Sequence, residues 1–292
     1  MTNKLGAHAL LFSDSWTEAT AKVAIDKAAR IGFDVIEVLI FDPATVDGKM
    51  TRRIAADAGI GVALGMALGP ETDISSLDRA VSLRGEATVE RCLTIAEDAG
   101  ATAVSGITYA AFNRYSAPPT NAHRARVVET LGRLAGKASA RGLRIGLEPV
   151  NRYESYLVNT LDAAGSIVRE IGSKALFVHM DTFHMNIEES DIAGAIARNA
   201  DLLGYAHVAD NHRGVLGAGT FDFKAYFRAL ALAGYTGGIT VESFSSAALG
   251  PGIVGAVGLW RQPWSDMDDT ARNALAFMRA EIAAAKAGNA VW

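Results

Sequence analysis

Eight short apolar runs of β character alternate with amphipathic helical patterns along the whole 292-residue chain, and this alternation limits the fold more than any other feature. The strand candidates are Gly6–Phe12, Asp34–Ile40, Gly61–Ala67, Ala103–Thr108, Arg144–Val150, Leu176–Asp181, Leu203–Val208 and Gly238–Ser243. Helical patterns lie between them near Thr17–Ile31, Gly48–Ala58, Glu86–Ala99, Ala122–Ala140, Thr160–Ile171, Asp191–Asn199 and Phe223–Ala233, and another, Asp268–Ala285, follows the last strand. Gly32, Gly59, Gly100, Gly142, Gly172 and Gly234 stand where left-handed helix caps belong. Eight βα units predict a closed parallel barrel, a single-domain (β/α)8 TIM barrel of the α/β class over residues 1–292, since one such barrel uses about 250 residues. A doubly wound open sheet is the alternative. It normally has fewer strands and a Gly-rich phosphate loop after the first, where this chain reads Ser13-Asp14-Ser15-Trp16. No linker or charge run marks a domain boundary. Long βα loops are expected near Gly69–Arg84, Tyr109–Asn121 and Ser245–Asp266, on the face where barrels carry their active sites.

Four of the predicted strands end within two residues of a potential metal ligand: Glu148, Asp181, His207 and Glu242. Charged groups avoid the ends of buried strands unless something pairs with them. Parallel barrel strands bring these ends to one mouth, so three carboxylates and an imidazole make a candidate divalent-metal site. Without a thiol and with oxygen dominant, the set favours Mn²⁺ or Mg²⁺, with Co²⁺ possible, over closed tetrahedral zinc. Four protein ligands leave two octahedral positions, enough for two adjacent oxygens of a hydroxy-ketone, and two carboxylates across such a site suit proton transfer to and from opposite faces of a planar intermediate. The plain alternative is a rim of solvated acids, with His207 bonded to a carbonyl.

Charge and composition remove other classes. A net charge of −4 gives no basic footprint for nucleic acid, and six histidines are too few for the zinc cluster of an abasic-site hydrolase. The one cysteine, Cys92, falls in a helical pattern, reads as a core residue and permits no intrachain disulfide. Met1-Thr2-Asn3-Lys4 runs into an apolar stretch too short to span a membrane and without a small-residue cleavage site, so a soluble, cytoplasmic protein is expected, with neither nucleic acid nor membrane as partner.

The segments Glu148-Pro149-Val150-Asn151-Arg152-Tyr153-Glu154, Asp181-Thr182-Phe183-His184 continuing to Glu189, His207 with Arg213 six residues on, and Glu242-Ser243-Phe244 together resemble the ketose 3-epimerase family, which includes the D-tagatose, D-psicose and L-ribulose 3-epimerases among the xylose-isomerase-like barrels. The resemblance covers nearly the whole chain. It implies epimerisation at C3 of a free ketose through a cis-enediolate, on pairs of the D-tagatose/D-sorbose, D-fructose/D-psicose or L-ribulose/L-xylulose type. It further implies Mn²⁺, with Co²⁺ or Mg²⁺ as alternatives, held by Glu148, Asp181, His207 and Glu242, with Glu148 and Glu242 also moving the proton. Glu154, His184 and Arg213 would hold the substrate around O1 and O2. A homodimer or homotetramer is the expected assembly. The stretch departs from the family pattern at Asp210 and His212, where Glu and Asn are usual, and this could tune substrate preference.

Other residues are read individually. Trp16, Phe112 and Phe244 lie in βα loops or at strand ends, where aromatics can cover the apolar side of a sugar, and His8 stands near the mouth in the first strand. Glu37, on the second strand, is expected to buttress a ligand. His179 shares a strand face with Asp181 and is expected to be buried and hydrogen-bonded. Gly217-Ala218-Gly219 reads as a turn and not a phosphate loop. The competing activities are an aldose–ketose or hydroxypyruvate isomerase and an inosose dehydratase, which use the same enolising chemistry; a non-catalytic binding barrel would have little use for a complete ligand set.

Overall fold

The computed structural model describes residues 3–289, so Met1 and Thr2 of the N-terminal segment and the last three residues of the expected domain lie outside the described residues. Eight parallel strands close in chain order: β1 Leu5–His8, β2 Val35–Ile40, β3 Gly61–Leu68, β4 Ala103–Ala111, β5 Arg144–Leu147, β6 Leu176–Asp181, β7 Leu203–Val208 and β8 Gly238–Val241, with β8 pairing back onto β1. The expected barrel is the observed one. Register matters for the site. His8 lies opposite Glu37 and Asp181 opposite His207, so polar groups from neighbouring strands fall at one height.

The helices α1 Glu18–Ile31, α2 Gly48–Ala58, α3 Arg79–Ala99, α4 Asn121–Ala140, α5 Leu161–Ile171, α6 Thr182–Glu188, α7 Ile192–Arg198, α8 Phe223–Leu232, α9 Pro251–Ala256 and α10 Met267–Asn289 surround the sheet. All six glycines expected as caps have positive φ. Polar N-caps start many of the helices: Thr17 with Thr20 forms a capping box on α1, and the Asp78 carboxylate accepts the Ala80 N–H at 2.8 Å on α3. Cys92 is fully buried in the core, where burial pushes its thiol up to about 12.

Four elements differ from the sequence reading. Helix α3 begins at Arg79 and not near Glu86, because Gly85, which looks like an interruption, is a close-packing point: a Cβ there would fall 2.1 Å from the Thr72 carbonyl oxygen. Helices α6 and α9 lie in segments without a helical assignment and have seven and six residues, too few to display a period. Strand β1 stops at His8, after which Ala9–Leu11 tightens into a 3-10 turn. One continuous apolar core fills the space between sheet and helices. A second, small cluster stands apart from it: Leu10, Phe244 and Leu249 are buried together, with Leu39, Ile253 and Val257 packed against them beside the barrel mouth.

Candidate active site

The four strand-end groups meet at the mouth and are all buried. Glu148 and Glu242 stand one residue beyond β5 and β8, and their backbone N–H groups still bond to Gly106 and Val208 carbonyls of the adjacent strands, both at 3.0 Å. His207 is central. Its Nδ1 lies 3.2 Å from Glu148 Oε1, 3.8 Å from Glu242 Oε1 and 3.9 Å from Asp181 Oδ2. Its Nε2 donates to Glu37 Oε2 at 2.9 Å. Asp181 both ends β6 and caps α6: Oδ1 accepts the Phe183 N–H at 2.7 Å, which leaves Oδ2 buried without a hydrogen bond. Glu242 Oε2 is buried and unbonded as well. The donor atoms fall into overlapping triads, Asp181–His207–Glu242 and Glu148–Asp181–His184, each with its atoms within 4.8 Å of one another. Carboxylate oxygens without a hydrogen bond, buried around one imidazole nitrogen and only partly offset by Arg213, are a place that a divalent ion preferring oxygen would satisfy. The donor set fits such an ion.

The electrostatics express the same crowding. Burial raises Glu242 to about 8, with Arg213 pulling down and Asp181 pushing up. Burial raises Glu148 too, although His207 opposes it. Burial would depress His207, but Glu37 and Glu148 outweigh it and lift the imidazole well above its ordinary range. Burial would raise Glu37, yet His207 holds that carboxyl down at about 2. Arg213, buried beside Glu154 and Glu242, supplies positive charge to the same group.

A second group of side chains sits above this centre. His184 Nδ1 accepts the Asn151 backbone N–H at 3.0 Å, so in the neutral ring that burial enforces the proton sits on Nε2. That Nε2 lies 3.0 Å from Arg213 Nη2, which brings the imidazole and the guanidinium side by side. Arg213 Nη1 donates to Glu154 Oε1 at 2.9 Å, and Nε lies 3.3 Å from Glu242 Oε2. The guanidinium carbon stacks over Phe183 at 4.0 Å and lies 5.3 Å from the Phe244 ring. A cavity of about 60 Å³ opens between these groups, and among the described residues Arg213 is the only Lys or Arg that lines it.

His8, Phe112, Glu154 and Phe244 line that cavity, as the sequence suggested. His8 Nδ1 accepts the Leu10 N–H at 3.2 Å, and its ring meets those of His207 and Phe244 edge-on at 5.9 Å. Burial lowers its pKa to about 4. Trp16 is not brought to the cavity. Its indole N–H donates to Thr51 Oγ1 of α2 at 2.9 Å, and it borders a separate groove. His179 is buried but not hydrogen-bonded at either nitrogen; its ring packs on that of His207, centroids 4.2 Å apart. Asp210 organises a loop. Its Oδ2 accepts the N–H groups of both Gly217 and Gly219 at 2.9 Å, which confirms the turn and leaves neither N–H for a phosphate. His212 Nδ1 accepts the Gly214 N–H, and its ring does not line the cavity.

The sequence profile described as Xylose isomerase-like TIM barrel matches residues 25–281. A ketose 3-epimerase of Arthrobacter globiformis is 36% identical over 97% of this chain and 98% of its own length. An L-ribulose 3-epimerase of Mesorhizobium japonicum is 38% identical, covering 94% of this chain and 93% of its own. The chain belongs to the ketose 3-epimerase family. Among solved structures, a Methylomonas D-allulose 3-epimerase in complex with D-allulose superposes with a TM-score of 0.93 at 36% identity, over 96% of this chain and 97% of that one. In this family member, the sequence reading missed Asn151, which sets the His184 tautomer, and Phe183, which carries the Arg213 cation. Both lie inside the quoted motifs, so position alone could have flagged them. Val257 also lines the cavity, from the end of α9, and no local signal pointed to it.

Proposed function

We propose that the protein catalyses reversible epimerisation at C3 of an unphosphorylated ketose through a cis-enediolate. The observation that carries this reading is the pair Glu148 and Glu242, two buried carboxyls of raised pKa within 4 Å of His207 Nδ1 (3.2 Å and 3.8 Å), in a chain of the ketose 3-epimerase family. Glu148, Asp181, His207 and Glu242 would hold Mn²⁺, or Co²⁺ or Mg²⁺ in its place, because oxygen dominates the donor set. When bound, the ion supplies a Lewis acid that polarises neighbouring oxygens of a ketose.

The protein's own groups then divide the work. One glutamate removes the C3 proton and the other returns a proton on the opposite face; which does which follows the configuration of the substrate at C3. Burial raises both carboxyls above their ordinary range, which favours their holding a proton. Arg213 and His184, side by side at 3.0 Å, would hold O2, where negative charge grows as the proton leaves. Glu154, oriented by Arg213, would accept from the O1 end. His8, Phe112 and Phe244 wall the cavity against water. A cavity wall with Arg213 as its single Lys or Arg among the described residues, with the Gly217 and Gly219 amides already used, argues for a free sugar over a sugar phosphate.

Incubation of Mn²⁺-loaded protein with a panel of free ketoses in D₂O tests the reading, with product chromatography and NMR. One deuterium at C3 of the product is expected. Label confined to C1 would identify an aldose–ketose isomerase instead, and loss of water would identify a dehydratase.

A further inference from the structure

Interiors of eight-stranded barrels are ordinarily filled by branched apolar side chains. Here the layer directly below the mouth is polar. Glu37 on β2 is completely buried, and its Oε2 accepts two hydrogen bonds, from His207 Nε2 at 2.9 Å and from the Tyr205 hydroxyl at 2.8 Å. Tyr205 in turn lies 2.5 Å from Thr240 Oγ1, which donates to it once the phenol proton is committed to Glu37. The arrangement draws on four strands, β2, β3, β7 and β8, because β3 makes the space: a Cβ on Gly65 would fall 2.8 Å from Glu37 Oε1 and 3.4 Å from the Leu39 side chain. Any larger residue at 65 would displace the carboxylate.

A carboxylate taken out of water is costly unless its hydrogen bonds do something for the fold or the site. An ionised carboxylate only accepts, so a ring nitrogen facing it must carry a proton. We propose that Glu37 is a positioning residue for the metal centre: it fixes the tautomer and ring plane of His207, so that Nδ1 and not Nε2 faces Glu148, Asp181 and Glu242. Tyr205 serves the same end one step removed, by holding the carboxylate from turning. This inference rests on the metal reading above. It goes beyond it by making a completely buried side chain at the floor of the cavity, outside the four ligands, a determinant of ion affinity and geometry.

The test is Mn²⁺ titration of the full-length protein by calorimetry, together with the visible absorption of its Co²⁺ form, in wild type, Glu37→Ala, Glu37→Gln and Tyr205→Phe. Glu37→Ala is expected to weaken Mn²⁺ binding by about 10–100-fold and to shift the Co²⁺ bands. Glu37→Gln retains an acceptor oxygen but can also turn an amide N–H to the ring, and is expected to fall between. Tyr205→Phe should move affinity in the same direction by less. Unchanged Mn²⁺ affinity and Co²⁺ spectrum in Glu37→Ala and Glu37→Gln, with or without a lowered Tm, would overturn the proposal and leave Glu37 a structural partner of His207. Should Glu37→Ala not fold, Glu37→Gln and Tyr205→Phe decide by the same two readouts. A wild-type protein that binds no Mn²⁺ would instead sink the metal reading itself, before any variant is compared.

Discussion

At the mouth of the barrel three carboxylates crowd one imidazole, whereas at the foot Lys4 and Arg144 border a cavity of about 440 Å³ that no carboxylate lines. The two ends are close in sequence. Arg144 opens β5 and Glu148 follows its end, four residues or about 13 Å along a strand. Parallel register gathers every strand start at one rim and every strand end at the other, so a residue's place along its strand decides which chemistry it joins. Two arginines bring out the contrast. Each lies over a phenylalanine ring, Arg144 over Phe177 at 4.5 Å and Arg213 over Phe183 at 4.0 Å. Arg144 is exposed, while Arg213 is buried among Glu154, Glu242 and His184. The same contact is a surface ornament at one end and part of a charged site at the other.

The strongest way to break the contrast is to disarm the mouth. Glu148→Gln and Glu242→Gln should each lower kcat by about 10²–10⁴-fold, the usual worth of a positioned acid or base. A variant that keeps more than about a tenth of wild-type kcat, a barrier change of only ~1.4 kcal/mol, would show that its glutamate carries no proton. Next in size, Arg213→Ala should lower kcat and kcat/KM by roughly 10²-fold and still bind Mn²⁺ stoichiometrically, whereas Asp181→Ala should lose the ion first. Steady-state kinetics beside metal titration would separate them; near-normal kinetics in Arg213→Ala would reduce this arginine to the rank of Arg144.

Acid sharpens the comparison further. In the metal-free site His207 has a raised pKa, so below that pKa its ring holds a proton that Mn²⁺ must displace. Mn²⁺ affinity should therefore fall as pH falls, by about tenfold per unit where one proton is exchanged for the ion. Calorimetry between pH 6 and pH 8, in buffers of different ionisation enthalpy, counts the protons released, and a pH-independent affinity would contradict this account. The smallest effect belongs to the foot. Arg144→Ala should leave kcat unchanged and cost about 0.5–1 kcal/mol of stability, the worth of an exposed cation–π contact; denaturant unfolding and kinetics on one preparation would check both halves of that statement.

How far the sequence could be read depended on whether a residue's place was set locally. Glu148, Asp181, His207 and Glu242 follow from strand position alone, once the strands are known to be parallel and closed, and the eight strands are announced by apolar runs and glycine caps. His179 shows how far a face argument reaches. Two residues before Asp181 on one strand, it does point to the same interior, but whether a partner waits there depends on β7 and β2, which its own neighbourhood does not reveal. Trp16 failed for a similar reason. It sits in a βα loop as expected, but Thr51, 35 residues on, turns its indole away from the mouth. The departures at Asp210 and His212 were read as able to tune substrate preference; in the fold both side chains tie down loop amides.

The small cluster of Leu10, Phe244 and Leu249 has a consequence in time. It has its own few buried side chains and is not continuous with the main core, and the regions of a protein with the fewest buried apolar contacts open at the lowest free-energy cost. Phe244 belongs to this cluster and also walls the cavity, and α9 supplies Ile253 and Val254 to its half-buried edge. One side of the mouth therefore runs on a faster clock than the strands beneath it. Amides of α9 should exchange with solvent many times over while those of β6 and β7 stay protected, and the wall beside the sugar can be renewed without the barrel parting anywhere.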